Sequence, residues 1–252
     1  MAVEQLKQGR PAVGTMVRIV DNPACAWIVK HAGLEFYMYD MEHGTFSVET
    51  LSKALTVARG AGVDGFVRVP ELSKAFVSGV LDAGATGVMV PMLETVEQAR
   101  KLAEWAKFAP VGKRGLGTLG AHTNYGGLGG TPQEFMEQAN RETLTIAQIE
   151  TGTGVENVEA IAATDGIDAL LIGPNDLAIS LGVSGDLLGD TVNAAIEKVV
   201  AAVRNNGKVF GLHAPDALLE RWIPKGCNLI MSGLDLAVLT NGLKAIAEKY
   251  KK

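Results

Sequence analysis

The sequence predicts a single (β/α)8 barrel over residues 1–252, an α/β fold, and three observations point there. Short β-branched or apolar runs alternate with longer amphipathic segments that end at glycine, the pattern of parallel strands joined by crossover helices. Eight such runs can be counted, the number that closes this barrel. The first is continued by "MVRIVDNPAC", which lacks the glycine fingerprint that an open doubly wound sheet uses to hold a nucleotide.

The predicted strands are residues 12–17, 36–40, 65–69, 87–91, 144–150, 169–173, 209–213 and 229–232. Between the early ones, "PACAWIVKHAG", "SVETLSKALTVARGAG", "LSKAFVSGVLDAG" and "TVEQARKLAEWAK" carry helical spacing, and Gly33, Gly62 and Gly84 are read as C-terminal stops. The later helices are "GVENVEAIAAT", "TVNAAIEKVVAAVRNNG", "PDALLERWIPKG" and "LAVLTNGLKAIAEKY", with Gly207 and Gly226 as further stops. Residues 109–130 contain eight glycines and exceed an ordinary helix-to-strand connection. This segment is expected to be a mobile loop that closes over the barrel mouth and brings Lys113, Arg114, His122 or Asn124 to substrate or to a neighbouring subunit.

A length of 252 residues at 47% hydrophobic and 6% aromatic content allows a large aliphatic core in one domain. The formal charge of −5 has no compensating basic run, so nucleic acid and anionic membranes are not the expected partners, and a small molecule is. No apolar run approaches the roughly 20 residues of a membrane span, and the opening "MAVEQLKQGR" lacks the apolar stretch of a secretory leader. Two well-separated cysteines, Cys25 and Cys227, do not make a disulfide framework. A cytoplasmic location is therefore expected.

In such a barrel the chemistry sits at the carboxyl ends of the strands. Strand two ends in "YDMEHG", with Asp40, Glu42 and His43, and strand three places Arg68 inside an apolar run. Strand five carries Gln148 and Glu150, two residues apart and so on one side of the strand. Asp176 follows strand six in "GPND", and strand seven ends at His213. Glu150 and Asp176 meet the minimum oxygen-donor set for a hard divalent cation, which takes one or two carboxylates and completes its shell with water and substrate. Glu150 as an ion-pair partner of Arg68, and Asp176 as a helix N-cap, remain open at this point. Arg68 suits a fixed cation for a carboxylate or enolate, and His43 a general base oriented by Asp40 or Glu42. No serine elbow, strand-borne lysine or strand-end thiol offers a competing nucleophile.

The motifs "YDMEHG", "VRVP", "VMVPMLETVEQAR", "PVGKRG", "AQIETGTGVENVEAI" and "GIDALLIGPNDLAISLG" run in order along nearly the whole chain, which resembles the HpcH/HpaI aldolase family. The resemblance implies a class II, metal-dependent carbon–carbon lyase on a (β/α)8 barrel. It would reversibly cleave 4-hydroxy-2-oxo acids to pyruvate and an aldehyde through a metal-stabilised pyruvate enolate, on the pattern of 4-hydroxy-2-oxoheptanedioate or 2-dehydro-3-deoxyglucarate aldolases. It also implies a hexamer, a dimer of trimers with a C-terminal helix exchanged between subunits.

Carried onto this chain, the family's metal ligands fall on Glu150 and Asp176, for Mg²⁺ or Mn²⁺ with Co²⁺ as a further candidate. The enolate-stabilising arginine falls on Arg68, the histidine–aspartate pair on His43 and Asp40, and the active-site glutamine on Gln148. Gly173, Pro174, Asn175 and His213 are the remaining substrate-binding candidates. Met16 stands where better-known members carry tryptophan, Asn175 where alanine or serine is usual, and His213 where they are apolar. These differences bear on aldehyde preference. A citrate-lyase-β-like lyase acting on an acyl-CoA is the alternative enzyme, and a non-catalytic assembly barrel the alternative outside catalysis.

Overall fold

The structure is a computed structural model and describes residues 1–251. Its strands are β1 (Ala12–Val17), β2 (Phe36–Asp40), β3 (Asp64–Arg68), β4 (Gly87–Val90), β5 (Leu144–Ile149), β6 (Ala169–Ile172), β7 (Val209–His213) and β8 (Leu229–Leu234). All pair in parallel in chain order, and β8 returns to β1 to close the barrel. Every predicted strand is present, with ends within two residues of those read from the sequence.

The helices are α1 (Ala2–Lys7), α2 (Cys25–His31), α3 (Val48–Ala61), α4 (Lys74–Asp82), α5 (Val96–Ala106), α6 (Pro132–Glu142), α7 (Gly152–Glu156), α8 (Val158–Ala162), α9 (Pro174–Ser180), α10 (Asp190–Asn205), α11 (Asp216–Trp222) and α12 (Asp235–Tyr250). Local chemistry sets their starts: Ser47, Ser73, Thr95 and Thr131 each accept a first-turn N–H at their N-caps. Gly62 ends α3 at φ +74°, a left-handed turn that costs a residue without Cβ little. No helix among the described residues is long and apolar enough to cross a membrane.

Two cores form. One lies between the barrel wall and the helices and is almost wholly aliphatic. The other fills the barrel with Met16, Phe36, Met38, Phe66, Met89 and Met231 among others, and Phe36 and Phe66 stack at 4.9 Å between ring centroids. Helix α1, absent from the sequence-based expectation, adds Ala2, Val3 and Leu6 to this inner core and so plugs the end where the strands begin. Its backbone is held by Asp64, whose Oδ2 accepts the Val3 N–H at 3.0 Å, and by the Lys7–Asp168 ion pair at 3.2 Å. Six residues are too few for a periodic signal. Helix α6 was missed for a different reason: it is mostly polar and none of its residues is fully buried, so its short apolar face, Phe135, Met136 and Ala139, does not stand out.

The glycine-rich segment corrects another expectation. Arg114 pairs with Asp82 at 2.6 Å, and Arg59 donates to Asn124 Oδ1 at 2.7 Å and to the His122 carbonyl at 3.2 Å. Arg59 and Asp82 sit at the C-terminal ends of α3 and α4. Because crossover helices run against the strands they join, those ends lie beside the strand starts. The segment is therefore bolted to the end opposite the mouth, and Arg114, Lys113, His122 and Asn124 do not meet substrate within this chain.

Leu6 is 2% exposed inside the plugged end. Leu6→Ala is expected to lower unfolding stability by about 3 kcal/mol, as deletion of a buried leucine does, read as a shift of the urea midpoint at unchanged slope.

Candidate active site

The mouth is organised around Asp40. It ends β2 beside Arg68, its register partner at the end of β3, and is fully buried. Its Oδ1 accepts Arg68 Nε at 2.8 Å and the backbone N–H groups of Glu42 at 3.1 Å and His43 at 3.3 Å. Its Oδ2 accepts Arg68 Nη2 at 2.6 Å and Arg18 Nε at 2.7 Å. Burial alone would raise the Asp40 pKa, but the hydrogen bonds and charge of Arg68, with help from Arg18 and the His43 N–H, hold it below the ordinary carboxylate value. Arg68 also pairs with Glu42 through Nη1 at 2.8 Å. Burial works against its charge, yet Asp40, Glu42 and Glu150 more than offset this and raise its pKa, so the cation is permanent.

This arrangement departs from the expected histidine–aspartate pairing. Asp40 receives the backbone of His43, not its ring, because two guanidinium groups take the rest of the carboxylate with charge-assisted bonds. The exposed His43 ring instead has Glu42 as its carboxylate neighbour, at 3.9 Å from Nε2.

Across the mouth, Glu150 is 2% exposed just beyond β5. Its Oε1 accepts the Met92 N–H at 2.7 Å, and Gln148 donates to its Oε2. Met92 adopts φ +51°, an uncommon backbone conformation for this residue type. Burial pushes Glu150 up to about 7; the neighbouring charges of Glu42 and Asp176 add to this, and the Met92 N–H and Arg68 oppose it. No ion pair joins Glu150 to Arg68 among the described residues, so the purely structural alternative is not what forms. Asp176 sits in the first turn of α9, whose N-cap is Gly173, and makes no side-chain cap.

Arg18, His43, Arg68, Gln148, Gly173, Pro174, Asn175, Asp176 and His213 line one cavity of about 120 Å³, floored by Met16, Met89 and Met231. Of the strand-end candidates, Asp40, Glu42 and Glu150 do not line it; Asp40 and Glu42 are paired with Arg68 and Glu150 is bonded to Gln148, both of which do. His213 is hydrogen-bonded from Nε2 to the Gly233 carbonyl at 3.2 Å, and burial, together with Arg68 and Arg18, lowers its pKa. A Cβ at Gly173 would meet Glu150 Oε2 and Gln148 Nε2, so glycine keeps open the space in front of that carboxylate. Among the described residues no three His, Cys, Asp or Glu side chains are arranged to hold a metal, so at most two side chains of these types could share one ion there.

Arg18 and the Glu42–Arg68 pair were not read from the sequence. Arg18 lies in "MVRIVD", a charged residue directly after an apolar strand, and that break in polarity was the available signal.

Comparison with known proteins agrees with this fold. The sequence pattern described as HpcH/HpaI aldolase/citrate lyase matches residues 18–242. A 5-keto-4-deoxy-D-glucarate aldolase of Klebsiella pneumoniae is 34% identical over 92% of this chain and 89% of its own length. A hydroxypyruvate/pyruvate aldolase of Roseobacter denitrificans is 30% identical over 99% of this chain and 96% of its own. The crystal structure of an HpcH/HpaI aldolase from Desulfitobacterium hafniense superposes with a TM-score of 0.91 at 33% identity, covering 97% of this chain and 96% of that one. The chain belongs to the HpcH/HpaI aldolase/citrate lyase family and is a lyase of the aldolase kind.

Proposed function

We propose that the protein is a divalent-metal-dependent pyruvate aldolase acting on 4-hydroxy-2-oxo acids. The observation that carries this reading is the convergence of His43, Arg68, Gln148, Gly173 and Asp176, from the ends of four strands, on one cavity at the mouth. The names of the Klebsiella and Roseobacter relatives support a pyruvate-type product.

Glu150 and Asp176 are the residues that would hold Mg²⁺ or Mn²⁺. The fit is chemical: both are hard oxygen donors, Gly173 leaves space beside Glu150, and Gln148 Oε1 is buried without a partner. A carboxylate whose pKa is raised by burial and by neighbouring acids is also one that a cation relieves. When bound, the ion supplies a Lewis acid that polarises the 2-oxo group. Arg68, fixed by Asp40 and Glu42, places a permanent positive charge where the oxo oxygen gains negative charge. His43 accepts the 4-hydroxyl proton as the C3–C4 bond breaks. The electron pair of that bond passes to the pyruvate half as its enolate, and the other half leaves as an aldehyde. Protonation of C3 then completes pyruvate. Gln148 and the Gly173–Asn175 turn position the oxo acid.

The outward face of α12 supports assembly into a hexamer with the helix exchanged: Val238, Leu243, Ile246 and Tyr250 are 60–73% exposed. The free cysteines Cys25 and Cys227 support a cytoplasmic location.

Light scattering is expected to give a mass near six times 26.5 kDa, and a 26.5 kDa species would end the assembly reading. Pyruvate release from a panel of 4-hydroxy-2-oxo acids, before and after EDTA and with Mg²⁺ or Mn²⁺ restored, tests the activity. Glu150→Gln and Asp176→Asn are each expected to lose at least about 100-fold in metal-restored kcat/KM, as removal of a ligand to an essential ion does, while circular dichroism stays native. Full activity after EDTA would reject the proposal. Below about pH 7 an ion must displace a proton from Glu150, so calorimetric Mn²⁺ affinity should fall as pH drops, approaching tenfold per unit, and level off above pH ~8. An affinity flat from pH 6 to 8 would remove Glu150 from the ligand set.

A further inference from the structure

Among the described residues, Arg18 is the one charged side chain lining the mouth for which the proposed chemistry has no use. It is the first residue after β1, and its position is strictly fixed. Its backbone N–H donates to Asp235 Oδ1 at 3.0 Å, and the next two, of Ile19 and Val20, donate to Asp235 Oδ2 at 2.9 Å each. Its side chain is fixed as well, through Nε to Asp40 Oδ2 at 2.7 Å.

The two terminal nitrogens are a different matter. Among the described residues their one hydrogen-bond partner is the Met16 sulfur, 4.0 Å from Nη2, a weak acceptor. The side chain is 28% exposed and lines the same cavity as Gln148 and Asp176. A guanidinium carries five donors in a rigid fork, and here one is used by protein oxygen. The others are presented, already oriented, to whatever fills the cavity.

Their place in the barrel says which part of a substrate they face. Glu150 and Asp176 follow β5 and β6, and in a closed ring of eight strands β1 is diametrically opposite β5. An oxo acid anchored on the Glu150 side therefore directs its far end, the aldehyde-derived half, across the mouth toward β1. His213, at the end of β7, lines the same cavity; its Nε2 is engaged by the Gly233 carbonyl, and burial beside Arg68 and Arg18 disfavours its charged form. The fixed positive charge available to the far end is thus that of Arg18.

We propose that Arg18 is a specificity-determining residue that selects substrates whose aldehyde-derived half ends in an anionic group, through charge-assisted hydrogen bonds from its terminal nitrogens. The inference rests on the aldolase reading above for the direction in which the substrate lies, and it adds to that reading a residue and a selection rule.

The test compares two chain-matched 2-oxo acids, 2-oxoadipate with a terminal carboxylate and 2-oxohexanoate with a terminal methyl. Calorimetric binding to the Mg²⁺-loaded protein needs no turnover, so it separates this inference from the catalytic one. The wild-type protein is expected to bind 2-oxoadipate at least tenfold more tightly. Arg18→Gln should remove most of that preference and Arg18→Lys should keep part of it, with thermal midpoints confirming that both fold. Turnover with pyruvate should follow the same order, with kcat/KM for succinic semialdehyde falling at least tenfold more than for butyraldehyde in Arg18→Gln, chiefly through KM. Equal losses for the charged and neutral compounds would make Arg18 a prop for Asp40 alone and overturn the proposal. So would a wild-type protein with no preference. A preserved binding preference in a protein that releases no pyruvate would reject the aldolase reading and leave Arg18 as the residue that selects an anionic far end on a 2-oxo acid.

Discussion

A carboxylate removed entirely from water needs compensation, and Asp40 obtains it from five donors, three of them on guanidinium groups. That requirement organises the mouth. To satisfy it, β1 must deliver Arg18, β3 must deliver Arg68 in register, and the chain after β2 must turn so that its next N–H groups point back. Arg68 is thereby held rigidly enough to act as a preset electrostatic partner rather than a mobile side chain. The opposite side of the mouth runs on the reverse logic. Glu150 is nearly as buried yet receives one backbone N–H and one amide, with two further carboxylates close enough to raise its pKa. One acid is satisfied and lowered, the other under-compensated and raised. Such a divergence of two buried carboxylates is what separates a scaffolding acid from one suited to bind a cation.

The fold was readable because its signal is repetitive. Each strand is an apolar run too short for a helix, each crossover helix has a capping residue or a glycine stop, and eight repeats leave little freedom of topology. The inner core carries the same information, since its methionines and phenylalanines come from strand positions already identified. What escaped had no such pattern. Helix α1 is six residues long, too short to show a period, and α6 is mostly polar with no fully buried residue, so its short apolar face is easily passed over.

The site was partly readable. Strand-end polar residues could be listed from the sequence, and the cavity gathers them. Their partners could not be, because a partner is chosen by competition in space. Asp40 and His43 are three residues apart and suggest a pair, yet Arg18 and Arg68, 22 and 28 residues away, win the carboxylate. The glycine-rich segment was misplaced for a related reason. Composition showed a long connection, but its destination is set by Arg59 and Asp82, which composition does not connect to it.

The grip of Asp235 has a mechanical side. The residue opens α12, yet its carboxylate holds three consecutive N–H groups of the segment after β1. The root of the last helix and the rim of the first strand are consequently one rigid joint. Whatever seats or unseats α12 along its apolar face pulls on the backbone of Arg18, and through Arg18 on the carboxylate it shares with Arg68. Packing at the periphery is in this way tied by a short chain of hydrogen bonds to the electrostatics of the cavity.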